Sequence, residues 1–144
     1  MQHVKDLIEQ GYYNDCPIYR VEEDFICQWG IHSDPAMYQK HGQTTIADDA
    51  VKTTNARGTV TFAMRGPNTR SVQLFVNYTD NNFLDDQGFA PIGVVIDGLA
   101  EFEKVYNPKK SPNGPPDQIK VKHQGKAALV DYPELSYITK MALA

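Results

Sequence analysis

The fold of this 144-residue chain is restricted most by its short apolar segments, which are bounded by residues that favour turns. Five of these segments, each five to eight residues long, lie at 17–21, 25–30, 58–64, 73–78 and 89–96. Segments of this length, several of them alternating in polarity, predict β-strands joined by short connections. No Gly-rich phosphate loop follows any of them. The sequence therefore favours a mainly β, antiparallel barrel or sandwich over a parallel βαβ fold.

Two short helices are predicted beside these strands. Val4, Leu7 and Ile8 lie at helical spacing ahead of Gly11, a residue type that commonly ends helices. A second apolar stripe is formed by Leu99, Phe102, Val105 and Tyr106. Each stripe marks one apolar face of a short helix.

The remaining segments carry weaker patterns. Residues 31–57 are polar and lack a sustained period, which predicts a long ordered loop of the kind that often carries function. Loop 80–88 contains Phe83 and Leu84, two apolar side chains that are expected to line a site. After a Pro-rich stretch, alternation over 118–123 predicts a last strand, and residues 132–141 are predicted to form a short terminal helix.

Composition excludes several classes of function. Asp and Glu outnumber Lys and Arg by 18 to 14, for a net charge of -4, so no basic field is available for nucleic acid. No apolar run approaches the roughly 20 residues that cross a bilayer, and the first residues lack the pattern of a secretory signal. We therefore expect a soluble protein of the cytoplasm or an organelle, without a membrane span.

Metal and nucleophilic chemistry are not indicated either. His32, Asp34 and His41 come nearest to a ligand cluster, but no regular element is expected to fix them on one side. Cys16 and Cys27 have neither a CxxC spacing nor a matching pair of histidines, so both are expected to be reduced. No Gly-x-Ser-x-Gly elbow is found. The sequence predicts no metal and no cofactor.

Two stretches of the sequence contain its most specific motifs. Residues 19–30 read YRVEEDFICQWG, and residues 62–75 read FAMRGPNTRSVQLF. In order and spacing they resemble the hallmark segments of the cyclophilin-type peptidyl-prolyl cis/trans isomerases, and the resemblance covers roughly Leu7 to Tyr106. It implies an antiparallel β-barrel capped by two helices. The implied organisation is a single domain over 1–144, with a family-like core over 1–106 and a Pro-rich extension with the last strand and helix over 107–144.

The resemblance also implies a function, which is isomerisation of X-Pro bonds to assist protein folding. The peptide bond has a rotation barrier of about 18–20 kcal/mol, so catalysis must favour a twisted amide. In the family's pattern Arg20, Phe25 and Gln28 take catalytic positions, with the Arg20 guanidinium presented to the proline nitrogen and carbonyl. The positions that contact substrate are Ile26, Ala63, Met64, Gln73, Phe75, Phe83, Leu84 and Phe89. The implied partners are proline-containing peptides or unfolded proteins.

Some positions of the groove differ from the usual pattern of the family. Phe83 stands where many members have Trp, and Phe89 stands where His or Tyr is frequent. Ala63, Met64 and Gln73 match the part of the groove that receives residues before the proline. Beside it, Arg65 either favours an acidic residue upstream of the proline or is a solvated loop arginine.

The largest difference from the family is at the N-terminus. Family members begin with two strands before the first helix, whereas this sequence begins within the segment that matches that helix. A barrel without those strands would have unpaired edges. The sequence is therefore truncated, or a partner chain donates the strands, or the segment after Tyr106 folds across the gap. The same difference leaves a second function open, that of a non-catalytic cyclophilin-like structural subunit or binding module of a larger assembly.

Overall fold

The strands form two antiparallel sheets in the computed structural model, which describes all residues from 1 to 144. β1 (Cys16–Pro17) lies in the smaller sheet. The larger sheet contains β2 (Arg20–Glu22), β3 (Ile26–Trp29), β4 (Thr59–Phe62), β5 (Leu74–Asn77) and β6 (Pro91–Val94). Its spatial order is β2-β3-β5-β4-β6. The predicted antiparallel strands are confirmed, but this sheet is open at β2 and β6, and the strands do not close into the predicted barrel.

Strand β3 shows how the large sheet separates two faces. Successive side chains of a strand point to opposite sides. Cys27 and Trp29 accordingly belong to the main hydrophobic core, whereas Ile26 belongs to a smaller cluster with Phe75 and Leu84. The alternation of β3 that the sequence predicts is therefore observed, although all four of its residues are buried.

The two predicted helices are present. In α1 (Gln2–Glu9), Leu7 is buried, and the helix ends before Gly11, whose φ of 72° favours glycine. α3 (Leu99–Glu103) is shorter than its predicted stripe, because Val105 and Tyr106 lie beyond its last residue. All four residues of the stripe nevertheless pack against the main core. The Phe102 ring stacks on Trp29 with 5.6 Å between ring centroids, which holds α3 on the core face of the sheet.

A third helix, α2 (Pro35–His41), lies inside the segment for which the sequence predicts a long loop. The Asp34 carboxylate accepts a hydrogen bond of 2.9 Å from the backbone N–H of Ala36, and Pro35 occupies the first turn. An acidic N-cap followed by proline is a helix-start signal. The loop prediction misses it because Tyr38 is the only buried residue of the helix, so no apolar stripe repeats.

The strand predicted over 118–123 is wrong, because these residues belong to helix α4 (Gln118–Gln124). The Asp117 carboxylate accepts hydrogen bonds from the backbone N–H groups of Ile119 and Lys120. Val121 is fully buried while Ile119 is exposed, so one buried residue in a helix produces the apparent alternation. Gly125 ends the helix against α2, where a Cβ atom would clash with the carbonyl oxygen of Ser33.

The helix predicted over 132–141 is also wrong, since this segment contains β7 (Tyr137–Ile138), which pairs with β1. The C-terminal segment therefore folds back onto residues 16–17 and not onto the open edge of β6. Three 3-10 segments complete the chain, at Asn82–Gln87, Pro108–Lys110 and Gly125–Leu129. None of the helices is both long enough and apolar enough to cross a lipid bilayer.

Candidate active site

A groove of about 660 Å³ lies on the sheet face that carries Ile26 and Gln28. Its lining includes all eleven residues that the sequence singles out: Arg20, Phe25, Ile26, Gln28, Ala63, Met64, Gln73, Phe75, Phe83, Leu84 and Phe89. The fold thus brings together positions that are up to 69 residues apart in the sequence. The roles of the individual residues remain predictions.

Strand register explains why the central side chains meet. Arg20 on β2 is paired with Gln28 on β3, and Gln28 is paired with Phe75 on β5. Residues that face each other across antiparallel strands project from the same side of the sheet. One row across three strands therefore carries a guanidinium, a carboxamide and a phenyl ring.

The Arg20 guanidinium is held by two neighbours and remains partly exposed. Its Nη1 donates a hydrogen bond of 2.9 Å to Gln28 Oε1, and its Nε lies 3.4 Å from Glu22 Oε1. Its Nη2 has no hydrogen-bond partner in the protein, so donors remain for another acceptor. Glu22, which the sequence analysis did not single out, lies two residues away on the same strand face. It also forms an ion pair with Lys109.

The charge of Glu22 is maintained by these cations. Burial opposes ionisation, but hydrogen bonds and charge from Lys109 and Arg20 together hold the pKa of Glu22 below its ordinary value. The carboxylate is therefore ionised at neutral pH, and it restrains the Arg20 side chain from one side.

Gln28 is oriented by a buried hydrogen-bond network behind the groove. Its Nε2 donates to the Tyr19 hydroxyl at 2.8 Å and to Gln73 Oε1 at 3.0 Å. The Tyr19 hydroxyl in turn donates to Gln73 Oε1. Burial raises the pKa of Tyr19, so this hydroxyl stays protonated and can act as both donor and acceptor. In the sequence Tyr19 is only a member of the first motif, and no local pattern indicates this positioning contact.

Next to this polar row lies a small apolar pocket. Ile26, Phe75 and Leu84 are buried, and Phe25, Ala63 and Phe89 pack against them partly exposed. The Phe75 and Phe89 rings meet edge to face with 5.9 Å between centroids. Phe83 stacks on Phe25 at the same separation and is 56% exposed, so it forms the rim. The pocket is apolar and open on one side, as a site for a compact aliphatic ring must be.

A buried asparagine fixes the loop that supplies one wall of this pocket. Asn55 Nδ2 donates to Asp85 Oδ1 at 2.7 Å and to the carbonyl oxygen of Phe89 at 2.9 Å. Its Oδ1 accepts a hydrogen bond of 2.8 Å from the Thr61 hydroxyl on β4. Hydrogen bonds from Thr54 and Asn55 lower the pKa of Asp85. No sequence signal marks Asn55, because it lies in an aperiodic segment and its partner Asp85 is 30 residues away.

The other end of the groove is formed by elements that the sequence analysis did not connect with it. Tyr38 comes from α2, and Gln118 and Lys122 come from α4. Arg65 lies at this same end. In a strand, Gln118, Lys120 and Lys122 would all project from one face. In the helix, Gln118 and Lys122 lie one turn apart on the same face, and Lys120 lies elsewhere.

The residues considered for metal or thiol chemistry lie elsewhere. His32 Nδ1 accepts a hydrogen bond of 2.8 Å from the backbone N–H of Asp34, and His32, Asp34 and His41 are not part of any group of side chains arranged to hold a metal ion. Cys16 and Cys27 are buried free thiols, as predicted. Burial raises the pKa of Cys16 to about 12 and that of Cys27 to about 11, so neither is a thiolate at neutral pH.

Comparison with known proteins identifies the relatives of this chain. The family model described as "Cyclophilin type peptidyl-prolyl cis-trans isomerase/CLD" matches residues 1–126. A peptidyl-prolyl cis-trans isomerase of Acinetobacter baylyi is 30% identical over 119 residues, covering 78% of this chain and 63% of the relative. Peptidyl-prolyl cis-trans isomerase B of Escherichia coli is 30% identical over 109 residues, covering 69% and 66%. The chain thus spans less than two thirds of the length of these relatives.

A solved structure supports the same relationship. The cyclophilin-type peptidyl-prolyl cis-trans isomerase of Cryptosporidium parvum, crystallised in the presence of the dipeptide Ala-Pro, is similar with a TM-score of 0.62. It is 25% identical, and the similarity covers 81% of this chain and 77% of that one. Sequence, fold and groove therefore agree, and the chain belongs to the cyclophilin-type peptidyl-prolyl cis-trans isomerase family.

Proposed function

We propose that this protein catalyses the cis/trans isomerisation of X-Pro peptide bonds and thereby assists the folding of proline-containing chains. The observation that carries the proposal is the row of Arg20, Gln28 and Phe75 beside an apolar pocket. Membership of the family supports it. Because the Cryptosporidium parvum isomerase was crystallised in the presence of Ala-Pro, this dipeptide unit is the smallest substrate to test.

The apolar pocket would hold the proline ring while the rest of the amide turns. Ile26, Phe75 and Leu84 form its buried base, and Phe25 lies at its side. Burial of the ring gives roughly 25 cal/mol for each Å² of apolar surface removed from water, which anchors one side of the bond. The carbonyl side would be left free to rotate, because the groove beside the apolar pocket is lined by polar side chains such as Gln28, Gln73 and Thr69. Binding of the ring alone lowers KM and does not lower the barrier.

Arg20 would supply the stabilisation that is specific to the twisted state. In a twisted amide the nitrogen lone pair no longer conjugates with the carbonyl, so it becomes a hydrogen-bond acceptor. The Nη2 group of Arg20 has donors to spare for it, while Gln28 and Glu22 restrain Nη1 and Nε. Gln28 would also bind the substrate backbone. This chemistry needs no nucleophile, because no covalent bond is broken.

The alternative of a non-catalytic scaffold module has less support. The curated relatives are named isomerases. A module that only bound proline would gain nothing from a guanidinium restrained on two sides with free donors beside the pocket.

The test is an NMR exchange assay of cis/trans isomerisation on a short Ala-Pro peptide with blocked termini. Wild type should accelerate exchange, and Arg20→Ala should reduce kcat/KM by about 100-fold, the usual loss when one preorganised donor is removed. Because the side chain is 37% exposed, the free energy of unfolding should fall by less than about 1 kcal/mol.

Arg57→Ala is the matched control, since this arginine is exposed and lies outside the groove. It should retain the wild-type rate. A folded wild type without acceleration, or an Arg20→Ala variant with full activity, would overturn the proposal.

We also propose that strands from outside residues 1–144 complete the open sheet into the barrel, either from the same polypeptide or from a partner chain. β6 is an edge of the sheet; Val94, its last residue, is 61% exposed, and Ile96, two residues later, is 95% exposed. Exposed apolar edge strands readily pair with other strands. Native mass spectrometry should then detect a bound chain or a longer polypeptide. Rapid hydrogen exchange of the β6 edge amides in the protein isolated from its source would contradict closure.

A further inference from the structure

The charge of the groove differs from that of the whole chain. Acidic residues outnumber basic ones by 18 to 14 overall, yet the groove lining contains Arg20, Arg65 and Lys122 and no Asp or Glu. A concave site with one sign of charge concentrates ligands of the opposite sign. The groove is therefore expected to favour anionic ligands, although the protein as a whole is acidic.

Two of the three cations have no anionic partner. Arg20 is close to Glu22, whereas neither Arg65 nor Lys122 forms an ion pair or a side-chain hydrogen bond. The acidic residues of the adjacent loop are already engaged. Asp48 exchanges hydrogen bonds with Asn68, and Asp49 contacts Arg70.

The fold holds both unpaired cations at the same end of the groove. Lys122 is half-buried on α4, with its Nζ 5.7 Å from the centre of the Tyr38 ring. Burial lowers the pKa of Lys122, and the charge of Arg65 lowers it further. On the other side, the backbone N–H of Arg65 donates to the Thr69 hydroxyl at 2.7 Å, which fixes the turn that carries it. An anion bound between Arg65 and Lys122 would offset the repulsion that Lys122 experiences from Arg65.

We propose that Arg65 and Lys122 select substrates with a carboxylate side chain on the N-terminal side of the isomerised proline. This inference rests on the proposed function and on the orientation implied by the family resemblance, in which Ala63, Met64 and Gln73 receive residues before the proline. Arg65 directly follows Met64 in the sequence and lines the same groove. Lys122 comes from the segment after residue 106, which gives this C-terminal segment a role in specificity.

The experiment compares peptides Xaa-Ala-Pro-Phe with blocked termini, in which Xaa is Glu, Gln or Lys. A fourth peptide, Ala-Ala-Pro-Glu, places the carboxylate after the proline. Wild type should show a kcat/KM for the Glu peptide roughly three- to tenfold above that for the Gln peptide, with Lys lowest. The Ala-Ala-Pro-Glu peptide should show no such gain. The preference should weaken when salt is raised from about 0.05 to about 0.5 M.

Substitutions distinguish the effect of Arg65 and Lys122 on selectivity from the effect of the protein's net charge. In Arg65→Gln/Lys122→Gln the Glu-to-Gln ratio should fall to about one. Lys120→Gln is the matched control, because Lys120 is exposed on the same helix and does not line the groove. It should keep the wild-type ratio, and an equal fall in this control would overturn the proposal.

Failure of the two proposals can be distinguished. Equal kcat/KM for the Glu, Gln and Lys peptides in an active wild type would overturn the selectivity and leave the isomerase proposal standing. If wild type accelerates none of the peptides, the isomerase proposal fails, and NMR titration of the same peptides decides the selectivity. Tighter binding of the Glu peptide, lost in the double variant, would support it, and equal binding would overturn it.

Discussion

The two faces of the five-stranded sheet are built from alternate residues of the same strands, but they differ in how many hydrophobic side chains they bury. The face with Cys27, Trp29 and Val76 belongs to a core of 18 buried hydrophobic residues and is covered by helices. The opposite face, with Ile26 and Phe75, has only three buried hydrophobic residues in its cluster. Hydrogen-bonding side chains lie beside that cluster, and the face remains open as a groove.

This contrast shows how one sheet can serve both stability and binding. Close packing makes the core face sensitive to any loss of volume. The groove face needs side chains held in place but not covered, so it relies on buried polar networks such as those of Gln28 and Asn55. Substitutions on the core face should therefore change mainly the free energy of unfolding. Substitutions of partly exposed side chains that line the groove should change mainly the proposed isomerase activity.

The strongest loss of stability is expected for Trp29→Ala on the core face. Trp29 is 2% exposed and stacks on Phe102, so truncation leaves a large cavity and should lower the free energy of unfolding by about 3–5 kcal/mol. Urea denaturation measures this change. Trp29→Phe is the control and should cost much less, because it keeps a ring and removes the buried Nε1 that has no hydrogen-bond partner. A small loss in Trp29→Ala would contradict the division between the faces.

An intermediate effect is expected for Asn55→Ala, which breaks the polar support of the groove face. The substitution leaves Asp85 and Thr61 without their shared partner and should cost about 2–3 kcal/mol of unfolding free energy. It should also raise KM, because the segment with Leu84 is no longer tied to β4. Asp86→Ala, an exposed position next to Asp85 in the 3-10 segment, should change stability by less than about 0.5 kcal/mol. Unchanged KM in a folded Asn55→Ala variant would count against this support.

The smallest effect expected is a pH dependence of the free energy of unfolding, which arises from His32 in the segment that leads into α2. Burial lowers the pKa of His32 from its ordinary 6.5, against the opposing charges of Asp34 and Asp15. The unfolded chain therefore binds the proton more readily, so this stabilisation is present above pH 6.5 and is lost as the pH falls through the lower folded-state pKa. The neutral ring is also the form whose Nδ1 accepts from the Asp34 N–H.

This pH dependence can be isolated with His32→Asn, which keeps an acceptor near the Nδ1 position and does not titrate. Unfolding free energies measured at about pH 5 and about pH 7.5 should differ less in the variant than in wild type. Equal differences in the two proteins would show that His32 is not the titrating group.

Much of the groove face could be predicted from the sequence. Arg20 and Gln28 are in short strands with clear alternation, and the Gly-Pro-Asn-Thr turn at 66–69 anchors the second motif. Through the resemblance to the cyclophilin family, the order and spacing of these motifs named all eleven residues that the structure collects in one groove. The positioning contacts were not predictable in the same way. Glu22 with Lys109, and Asn55 with Asp85, join residues far apart in sequence without any periodic signal.

Local sequence was sufficient to establish which residues of each strand share a face, because side-chain direction follows local backbone geometry. Whether residues 118–124 form a strand or a helix, in contrast, depended on tertiary packing. Alternation of Ile119 and Val121 over six residues fits a strand and a helix equally well, and burial of Val121 against the rest of the molecule selects the helix. That choice brings Lys122 to the groove beside Arg65. The charge of the site therefore depends on packing between segments that no local pattern connects.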